Sequence, residues 1–268
     1  MPLAPKRAIS TFRYAVFFDG VDDYAVIEPF TVYGWDEITI QEWVYFYHPK
    51  ANDWWSKTNM IGDIWVDVPS TFIGMDNRFD YTLLKSLFAT RTAIGYRRDY
   101  YYDVFAYRNT WINLGRRFTS TREFSIWVNA SRVYSDTVPA DEKTILEWNP
   151  ESATYPHRYR RYVIGANVEL FEFMRQHQHS LLIYSRAPSE REITHNMLYP
   201  ENPIRNGLVV WLLAHPNYVE DIDGDKVLEW IDLSGFNNHA KLYGARLVEL
   251  IKTPSRILTP IRASPVAR

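Results

Sequence analysis

The chain of 268 residues is long enough for one large β domain or two smaller ones, and its hydrophobic fraction of 46% supplies a sizeable core. A formal net charge of −2 argues against nucleic-acid binding through bulk electrostatics, and the absence of cysteine excludes disulfides and thiolate metal sites. Met1 to Arg13 contains no apolar signal core, and no stretch approaches ~18 apolar residues, so we expect neither a secretory signal nor a membrane span.

The first 185 residues read mainly as short strands separated by turns. Apolar runs at residues 14–18 and 24–27 flank the turn dipeptide Asp19-Gly20, which predicts a hairpin. The alternating pattern of residues 38–47 predicts a longer strand with one apolar face. Further strands are predicted at residues 72–75, 92–96, 103–107, 124–128, 161–164 and 180–184. Strands at this spacing are typical of a β-sandwich.

One helix is predicted after the main strands. Ser189 and Glu192 form a capping-box pattern, and the helix should end near Tyr199, which precedes a proline. A further strand is predicted at residues 207–213. Residues 253–268 contain three prolines and little core, so they read as an extended tail.

Three stretches of the chain resemble laminin-G-like, concanavalin A-like jelly rolls. Residues 18–24 resemble the first hairpin of that family, residues 39–44 its next core strand, and residues 182–193 its last strand with the short helix after it. The resemblance implies an all-β fold over residues 1–202, a two-sheet antiparallel jelly-roll sandwich with one short helix after the last main strand. It also implies a binding or structural module.

The C-terminal part resembles the same family in an unexpected position. Residues 207–213 and 230–244 look like the segment that usually precedes the first hairpin, but here they follow the last strand. Two hypotheses follow. Residues 203–252 complete their own sandwich in permuted order, or they pair with a neighbouring subunit and build a homo-oligomer through residues 203–268.

The resemblance also implies a metal site at the first hairpin. In such jelly rolls a calcium ion often links this hairpin to the last strand, and Asp19 matches the first acidic ligand. The partner acid falls on His179, and imidazole is a poor calcium ligand. The competing interpretation is that Asp19 caps the Asp-Gly turn.

A second candidate calcium loop lies near the C-terminus. Alternate acids place oxygens on one side of a loop, as a hard cation requires. Lys226 stands where an EF-hand needs glycine, so only a looser loop is considered, against the alternative of a solvated acidic turn. The candidate ligands are Asp221, Asp223, Asp225 and Asp232.

Aromatic side chains supply the candidate ligand-binding residues. Tyrosines interleave with arginines in residues 96–102 and 157–162, a pattern that can stack sugar rings or can place tyrosine inward and arginine in solvent. Adjacent tryptophans in a loop after residue 53 suggest that at least one is exposed. The candidates are Trp54, Trp55, Tyr100, Tyr101, Tyr102 and Tyr159.

Glu42 interrupts the apolar face of the strand at residues 38–47. A buried carboxylate must be paired, protonated or bridged by water. Three interpretations stay open: a ligand-contacting or catalytic acid, a β-bulge that turns Glu42 outward, or an ion pair with an arginine.

The motifs argue against an enzyme. The sequence has no nucleophile elbow, zinc-protease motif or phosphate loop. Glycosidases of this fold use two carboxylates on one strand face, but Glu169 and Glu172 fall on opposite faces, and Trp65 lies between Asp63 and Asp67 on the face that they share. We predict a non-catalytic module, carbohydrate-binding or adhesive on a particle or cell surface, with a glycan or protein surface as partner. The alternative is a virion structural protein that assembles through its C-terminal segment. Arginine-rich, cysteine-free composition is compatible with a thermophilic source. Laminin-G-like domains occur among virion proteins, including those of archaeal viruses, so the resemblance implies an archaeal virus as one such source. A glycoside hydrolase-like enzyme ranks third.

Overall fold

The structure of the protein, a computed structural model, describes residues 12–47, 55–61, 74–80, 83–92, 97–152, 160–168, 170, 172–221 and 227–250. These residues form 17 strands and the α-helix α1, Glu190–Leu198. In chain order the strands are β1 (Tyr14–Phe18), β2 (Tyr24–Ile27), β3 (Ile38–Phe46), β4 (Trp55–Ile61), β5 (Gly74–Asp80), β6 (Leu83–Arg91), β7 (Arg97–Asp103), β8 (Trp111–Phe118), β9 (Glu123–Val128), β10 (Ser131–Thr137), β11 (Tyr162–Ile164), β12 (Gln176–Tyr184), β13 (Leu208–Leu213), β14 (Val219–Glu220), β15 (Leu228–Trp230), β16 (Ala240–Tyr243) and β17 (Arg246–Glu249).

The strands form two sheets that enclose one main apolar core. Sheet A has the order β10-β9-β8-β3-β12-β1-β17, with β13 also paired to β12, and sheet B has the order β14-β15-β16-β2-β11-β4-β5-β6-β7. The main core lies between the sheets because alternate apolar residues of each strand point inward. The predicted two-sheet antiparallel sandwich with one short helix after the last main strand is confirmed.

Strand β12 has two partners along one of its edges. Its other edge pairs with β3, whereas on this edge residues 176–178 pair with β1 and residues 180–184 pair with β13. Strands β1 and β13 therefore lie end to end. His179 stands at their junction, where its carbonyl accepts a hydrogen bond from the Ala214 amide at 2.8 Å.

The strands after residue 203 pair within the chain. Strands β13 and β17 add to sheet A through β12 and β1, and β16 adds β15 and β14 to sheet B through β2. The division at residue 202 and an exchange of this segment between subunits stay predictions. Of the tail at residues 253–268, none lies within the described residues.

A cluster of polar side chains surrounds Glu42 between the two sheets. Its Oε1 accepts hydrogen bonds from Asn77 Nδ2 at 2.8 Å and Arg116 Nη2 at 3.1 Å. Its Oε2 accepts from Asn59 Nδ2 and, at 3.1 Å, from Gln178 Nε2. All five residues, here called the Glu42 cluster, are at most 1% exposed. Glu42 thus points inward and forms the ion pair with an arginine, and it is not turned outward.

A bulge in β4 brings Asn59 into this cluster. The register between β4 and β5 shifts between Thr58 and Ile61, and Asn59 adopts a φ of 52°. Asparagine tolerates this left-handed conformation better than most residues. The bulge aims the Asn59 amide at the Glu42 carboxylate.

Helix α1 covers part of the outer face of sheet A. The predicted capping box is present, since Ser189 accepts from the Glu192 amide and Glu192 Oε2 accepts from the Ser189 amide at 2.7 Å. The side chains of Gln41 and Trp43 donate to main-chain carbonyls of the helix at 2.9 and 3.0 Å. The helix thereby lies over the first part of β3 and leaves the later part of that strand uncovered by it. No helix among the described residues is long and apolar enough to cross a membrane.

Most of the predicted elements coincide with observed ones. The strand predicted at residues 103–107 is wrong, because β7 ends at Asp103 and residues 105–107 form a 3₁₀ turn. Asp103 stabilises that turn by accepting a hydrogen bond from the Phe105 amide at 2.9 Å. Of the strand predicted at residues 72–75, residues 74–75 belong to β5, and residues 72–73 lie outside the described residues. The strand predicted at residues 92–96 follows the end of β6 at Arg91, and its residues 93–96 lie outside the described residues.

Candidate functional site

The outer face of sheet A carries a row of ring side chains beyond helix α1. The register places Phe17 of β1 opposite His177 of β12, His177 opposite Tyr45 of β3, and Tyr45 opposite Trp111 of β8. Opposed residues in antiparallel strands share a face, so these four side chains cross four neighbouring strands. They are called the aromatic row below.

The rings of the row lie close enough to form one continuous surface. Centroid distances are 5.0 Å from Phe17 to His177, 6.0 Å from His177 to Tyr45, and 5.8 Å from Tyr45 to Trp111. Tyr47 borders the row, 5.0 Å from Tyr45 and 5.3 Å from His177. These spacings are those of favourable aromatic pairs. All five side chains are partly exposed, and the row spans about 14 Å across the strands.

Two arginines flank the Phe17 end of the row. The Arg175 guanidinium carbon lies 4.3 Å from the Tyr47 ring centroid and 5.8 Å from that of Phe17. Arg246 pairs with Phe17 from β17 and lies 5.8 Å from the same ring. Both arginines are exposed, and within the described part of the chain neither forms a salt bridge. Their charge is therefore available to a ligand.

The two histidines of β12 are uncharged at neutral pH. Burial, aided by the charge of Arg175, lowers the pKa of His177 to about 4. Burial also lowers the pKa of His179 to about 4, although its hydrogen bond to the Tyr14 carbonyl, 2.8 Å long, acts in the opposite direction. Phe12 stacks on His179 at 3.8 Å. The row is therefore a neutral aromatic surface with a cationic end.

An acidic cluster lies in the turn between β1 and β2, next to that end. Oxygens of Asp19, Asp22 and Asp23 lie within 4.8 Å of one another. Asp19 Oδ1 accepts from the Val21 amide at 2.7 Å, and Asp23 Oδ2 accepts from the Asp19 amide at 2.8 Å. Burial, together with the neighbouring carboxylates, raises the pKa of Asp23. Three carboxylates in this arrangement could hold a metal ion such as Ca²⁺.

The turn at Gly244, which joins β16 of sheet B to β17 of sheet A, closes the acidic cluster from one side. Gly244 has a φ of 72°, and a Cβ at this position would collide with Asp23 Oδ1, so glycine is needed on both counts. Arg246 acts on Asp23 through its charge, which opposes the rise in the pKa of that group. Tyr243, 38% exposed, stacks on Tyr24 at 4.7 Å beside the cluster.

The acidic cluster contains Asp19 but not His179. The β1–β12 register places Phe18 opposite Gln176, so Asp19 continues towards Arg175 and away from His179. A Cβ on Gly20 would lie 2.7 Å from the Arg175 amide nitrogen, which shows how closely the turn approaches Arg175. Asp22 and Asp23 therefore supply the neighbouring acids.

The three consecutive tyrosines of β7 have different environments. Tyr100 is 3% exposed and donates to Glu142 at 2.9 Å, and burial is the main cause that raises its pKa to about 12. Tyr102 packs against the main core. Tyr101 is 41% exposed, with the Lys85 ammonium 4.9 Å from its ring centroid. Only Tyr101 of the three presents a ring to solvent, because the strand alternates its side chains.

Several other predicted ligand residues fall outside the described part of the chain. These are Trp54 and Tyr159, together with Asp223 and Asp225 of the candidate calcium loop. Trp55 begins β4, and its side chain is outside the description.

The structure does not bring Asp221 and Asp232 together. Glu220 pairs with Glu229, whereas the Ile231 amide donates to the Tyr218 carbonyl, so the two aspartates lie at opposite ends of the β14–β15 pair. The separation along the strands is roughly 13 Å.

Asp232 already has its own partners. One oxygen accepts from the amides of Trp211 and Ser234 at 2.8 and 2.9 Å, and the other accepts from the Ser234 hydroxyl and the Asn238 amide at 2.7 and 2.9 Å. Both oxygens are thus used, by donors of the loop that joins β15 to β16 and by the Trp211 amide of β13. This carboxylate fixes the loop and is poorly placed to bind a metal.

The sequence prediction missed the aromatic row and two members of the acidic cluster. Tyr45 and Tyr47 have the opposite parity to the apolar residues of β3, which was a readable sign that the outer face is aromatic. Asp22 and Asp23 follow Asp19 by three and four residues around a turn, a spacing that can gather three carboxylates.

Comparison with known proteins yields structural matches only. No family model matches the sequence, and no curated protein matches it. The crystal structure of a putative carbohydrate binding protein from Bacteroides ovatus ATCC 8483 matches with 14% identity and a TM-score of 0.62, over 92% of this chain and 62% of that one. The receptor binding domain of botulinum neurotoxin D matches with 10% identity and a TM-score of 0.50, over 84% and 56%.

These matches concern the fold. The chain covers less than two thirds of the length of either protein. At such identities the likeness establishes the arrangement of strands and not the chemistry of a site. Together with the sheet order, it shows that the chain has the concanavalin A-like, laminin-G-like jelly-roll fold.

Proposed function

We propose that the protein is a non-catalytic carbohydrate-binding module that receives sugar rings on the aromatic row. The observation that carries this proposal is the continuous, partly exposed line of rings across four strands of sheet A. The Bacteroides protein of similar fold is described as a putative carbohydrate binding protein, which agrees with the proposal.

The row suits a saccharide for a physical reason. A pyranose has an apolar face of C–H groups, which packs on an aromatic ring, and hydroxyls at its rim, which need hydrogen-bond partners. The phenol of Tyr45 and the guanidinium of Arg175 are polar groups at the edge of the row. A surface three inter-strand spacings long, about 14 Å, accommodates more than one sugar unit.

The same surface does not provide the groups of a glycoside hydrolase. Hydrolysis needs two carboxylates ~5 to 9.5 Å apart on either side of the scissile bond. No member of the aromatic row is a carboxylate, and Glu42 is enclosed in the core with both oxygens hydrogen-bonded. Binding without cleavage is the expected outcome. Release of new reducing ends from a bound saccharide would contradict it.

A glycan panel probed with the purified protein tests the proposal. We expect saturable binding by the wild type and a loss of about fivefold or more in affinity for Trp111→Ala or Tyr45→Ala, if a sugar face stacks about as strongly as a nucleobase, on the order of 1 to 3 kcal/mol per ring. Tyr33→Ala is the matched control, because Tyr33 is exposed and lies outside the row. Thermal melting of each variant verifies that it is folded. Binding that survives in both row variants would refute the proposal.

We also propose that the acidic cluster binds Ca²⁺. Hard oxygen ligands from Asp19, Asp22 and Asp23 match the preference of this ion, and neutralisation of three adjacent carboxylates would stabilise the turn. Calcium at 100 times its dissociation constant should add about 2.7 kcal/mol to the free energy of unfolding.

Thermal melting in Ca²⁺ and in chelator measures this effect. Asp22→Asn should abolish the rise in melting temperature, whereas Asp36→Asn, which removes an exposed carboxylate elsewhere, should leave it intact. An equal melting temperature of the wild type in both solutions would exclude the calcium site and would leave the proposal of sugar binding on the aromatic row unaffected.

A further inference from the structure

The cationic end of the aromatic row is the feature that distinguishes it from a plain stacking surface. Arg175, which directly precedes β12, and Arg246 of β17 each approach the Phe17 ring at 5.8 Å. Arg175 also lies 4.3 Å from the Tyr47 ring. Both side chains are exposed, and neither has an acidic partner within salt-bridge distance in the described residues.

A guanidinium in this position is prepared for an oxyanion. It presents a planar fork of N–H donors that matches the two oxygens of a carboxylate or sulfate group. Contact with an aromatic face restricts its rotation, so less side-chain entropy is lost when a ligand binds. Arginines held against rings but left without a carboxylate point to an anionic group on the ligand.

We propose that the aromatic row selects acidic saccharides, with a sugar ring over the row and a carboxylate or sulfate group between Arg175 and Arg246. This inference rests on the proposed carbohydrate-binding function and specifies its ligand class. His177, neutral in the middle of the row, contributes a ring surface and not a charge.

The acidic cluster opposes an anion at this end of the row. Asp19, Asp22 and Asp23 adjoin the turn that contacts Arg175, and Arg246 interacts with Asp23 through its charge. A divalent cation in the cluster would neutralise most of this repulsion. Binding of acidic saccharides should therefore be stronger in Ca²⁺ than in chelator, whereas binding of neutral saccharides to the rings should change little.

Paired saccharides that differ in their acidic groups, with the sugar rings unchanged, test the proposal. Suitable probes are tetragalacturonate with its fully methyl-esterified form, a sulfated galactan tetrasaccharide with its desulfated form, and a sialylated trisaccharide with its sialic acid methyl ester. Binding is measured by calorimetry to the wild type, to Arg175→Gln with Arg246→Gln, and to Arg191→Gln. Arg191 is an exposed arginine of α1 that, in the described part of the chain, forms no cation–π contact with a ring of the row, and it serves as the charge control.

We expect the acidic member of at least one pair to bind at least tenfold more tightly than its neutral counterpart. The double variant should lose this preference, because glutamine cannot form the charge-assisted hydrogen bonds that the two guanidinium groups would donate to the anionic group. Arg191→Gln should keep it. Affinity should fall as NaCl rises from 50 to 300 mM, in line with screening of exposed charges.

The results that would overturn the inference differ in whether they also refute the proposed carbohydrate binding. Equal binding of acidic and neutral members, or a preference unchanged in the double variant, refutes acid selection and leaves carbohydrate binding standing. No binding of any saccharide, here or on the glycan panel, refutes both. Row-dependent binding of a single-stranded oligonucleotide in preference to every saccharide would replace sugars by nucleic acid as the ligand, a result that the net charge of −2 disfavours.

Discussion

Replacement of Arg116 by methionine tests the physical basis of the polar core. The guanidinium is completely buried and donates to Glu42 Oε1 at 3.1 Å and to the Asn59 carbonyl at 3.2 Å. Methionine fills much of the same length without a charge. The variant leaves the Glu42 carboxylate with three amide donors, from Asn59, Asn77 and Gln178, and with no countercharge among its direct contacts.

The expected cost follows from that loss of countercharge. Removal of one partner from a buried ion pair typically costs about 3 to 5 kcal/mol. The three remaining amide donors keep Glu42 hydrogen-bonded, so we expect the lower end, about 3 kcal/mol. In a domain of this size each kcal/mol lowers the melting temperature by about 2 to 4 °C, which gives a fall of about 6 to 12 °C.

Urea unfolding followed by tryptophan fluorescence measures the free energy of unfolding of each variant. A double variant, Glu42→Met with Arg116→Met, should lose less stability than the sum of its two single changes, because no unpaired charge is left buried, although the Asn77 amide loses its acceptor. A cost below about 1 kcal/mol for Arg116→Met would show that the pair does not stabilise the core as argued. A double variant that loses as much stability as the two single variants together would lead to the same conclusion.

Three further predictions concern pH and backbone conformation. Hydrogen bonds from an arginine and from the helix cap lower the pKa of Glu192 to about 2, so its contribution to the free energy of unfolding should be lost as pH falls from about 4.5 to 2. In denaturant unfolding at a series of pH values, Glu192→Gln should lose less stability than the wild type over this range. The pKa of His177 lies near 4, below its ordinary 6.5, so protonation favours the unfolded chain. The free energy of unfolding should therefore fall as pH drops from 6.5 to about 4, and it should fall less in His177→Gln. An NMR titration of His177 with a midpoint above pH 6 would contradict this. Gly244→Ala should lower the stability measured by calorimetry more than Gly34→Ala does. Both glycines have a positive φ, but only at Gly244 would a Cβ collide with Asp23. Equal losses would show that this collision does not contribute.

Local patterns predicted much of the sandwich. Alternation over residues 38–47 gave β3 and its inward face, and the capping box at Ser189 gave the start of α1. The Asp19-Gly20 dipeptide lies in a turn between two strands as expected, but the predicted hairpin is wrong, because β1 pairs with β12 and β17 in sheet A whereas β2 pairs with β11 and β16 in sheet B. The features predicted correctly depend on neighbours in sequence, so a single chain suffices to find them. A virion or surface location and a thermophilic source depend on no such pattern and stay predictions.

The sites depend on contacts that local patterns do not encode. Tyr45 meets His177 and Trp111 only through strand registers that join distant parts of the chain. Likewise, nothing near Glu42 in sequence identifies Arg116 as its partner. The sequence offered Tyr100, Tyr101 and Tyr102 of β7 alike as candidate ligand residues, and it did not show that Glu142 would hold Tyr100 in the interior. Sequence can therefore place a residue on a face, whereas its partners come from the register.

The meeting of β1 with β12 and β17 also has a consequence for how the chain folds. Arg13 and Glu249, which form an ion pair at this seam, are 236 positions apart in sequence. Contacts of such separation must overcome the entropy of closing a long loop, and folds rich in them form slowly. Both partner strands of β1 are synthesised much later than β1 itself. Until then its backbone donors and acceptors are unpaired and can associate with other chains. Refolding yield should therefore fall as protein concentration rises, more steeply than for a sandwich whose first strand pairs with the second.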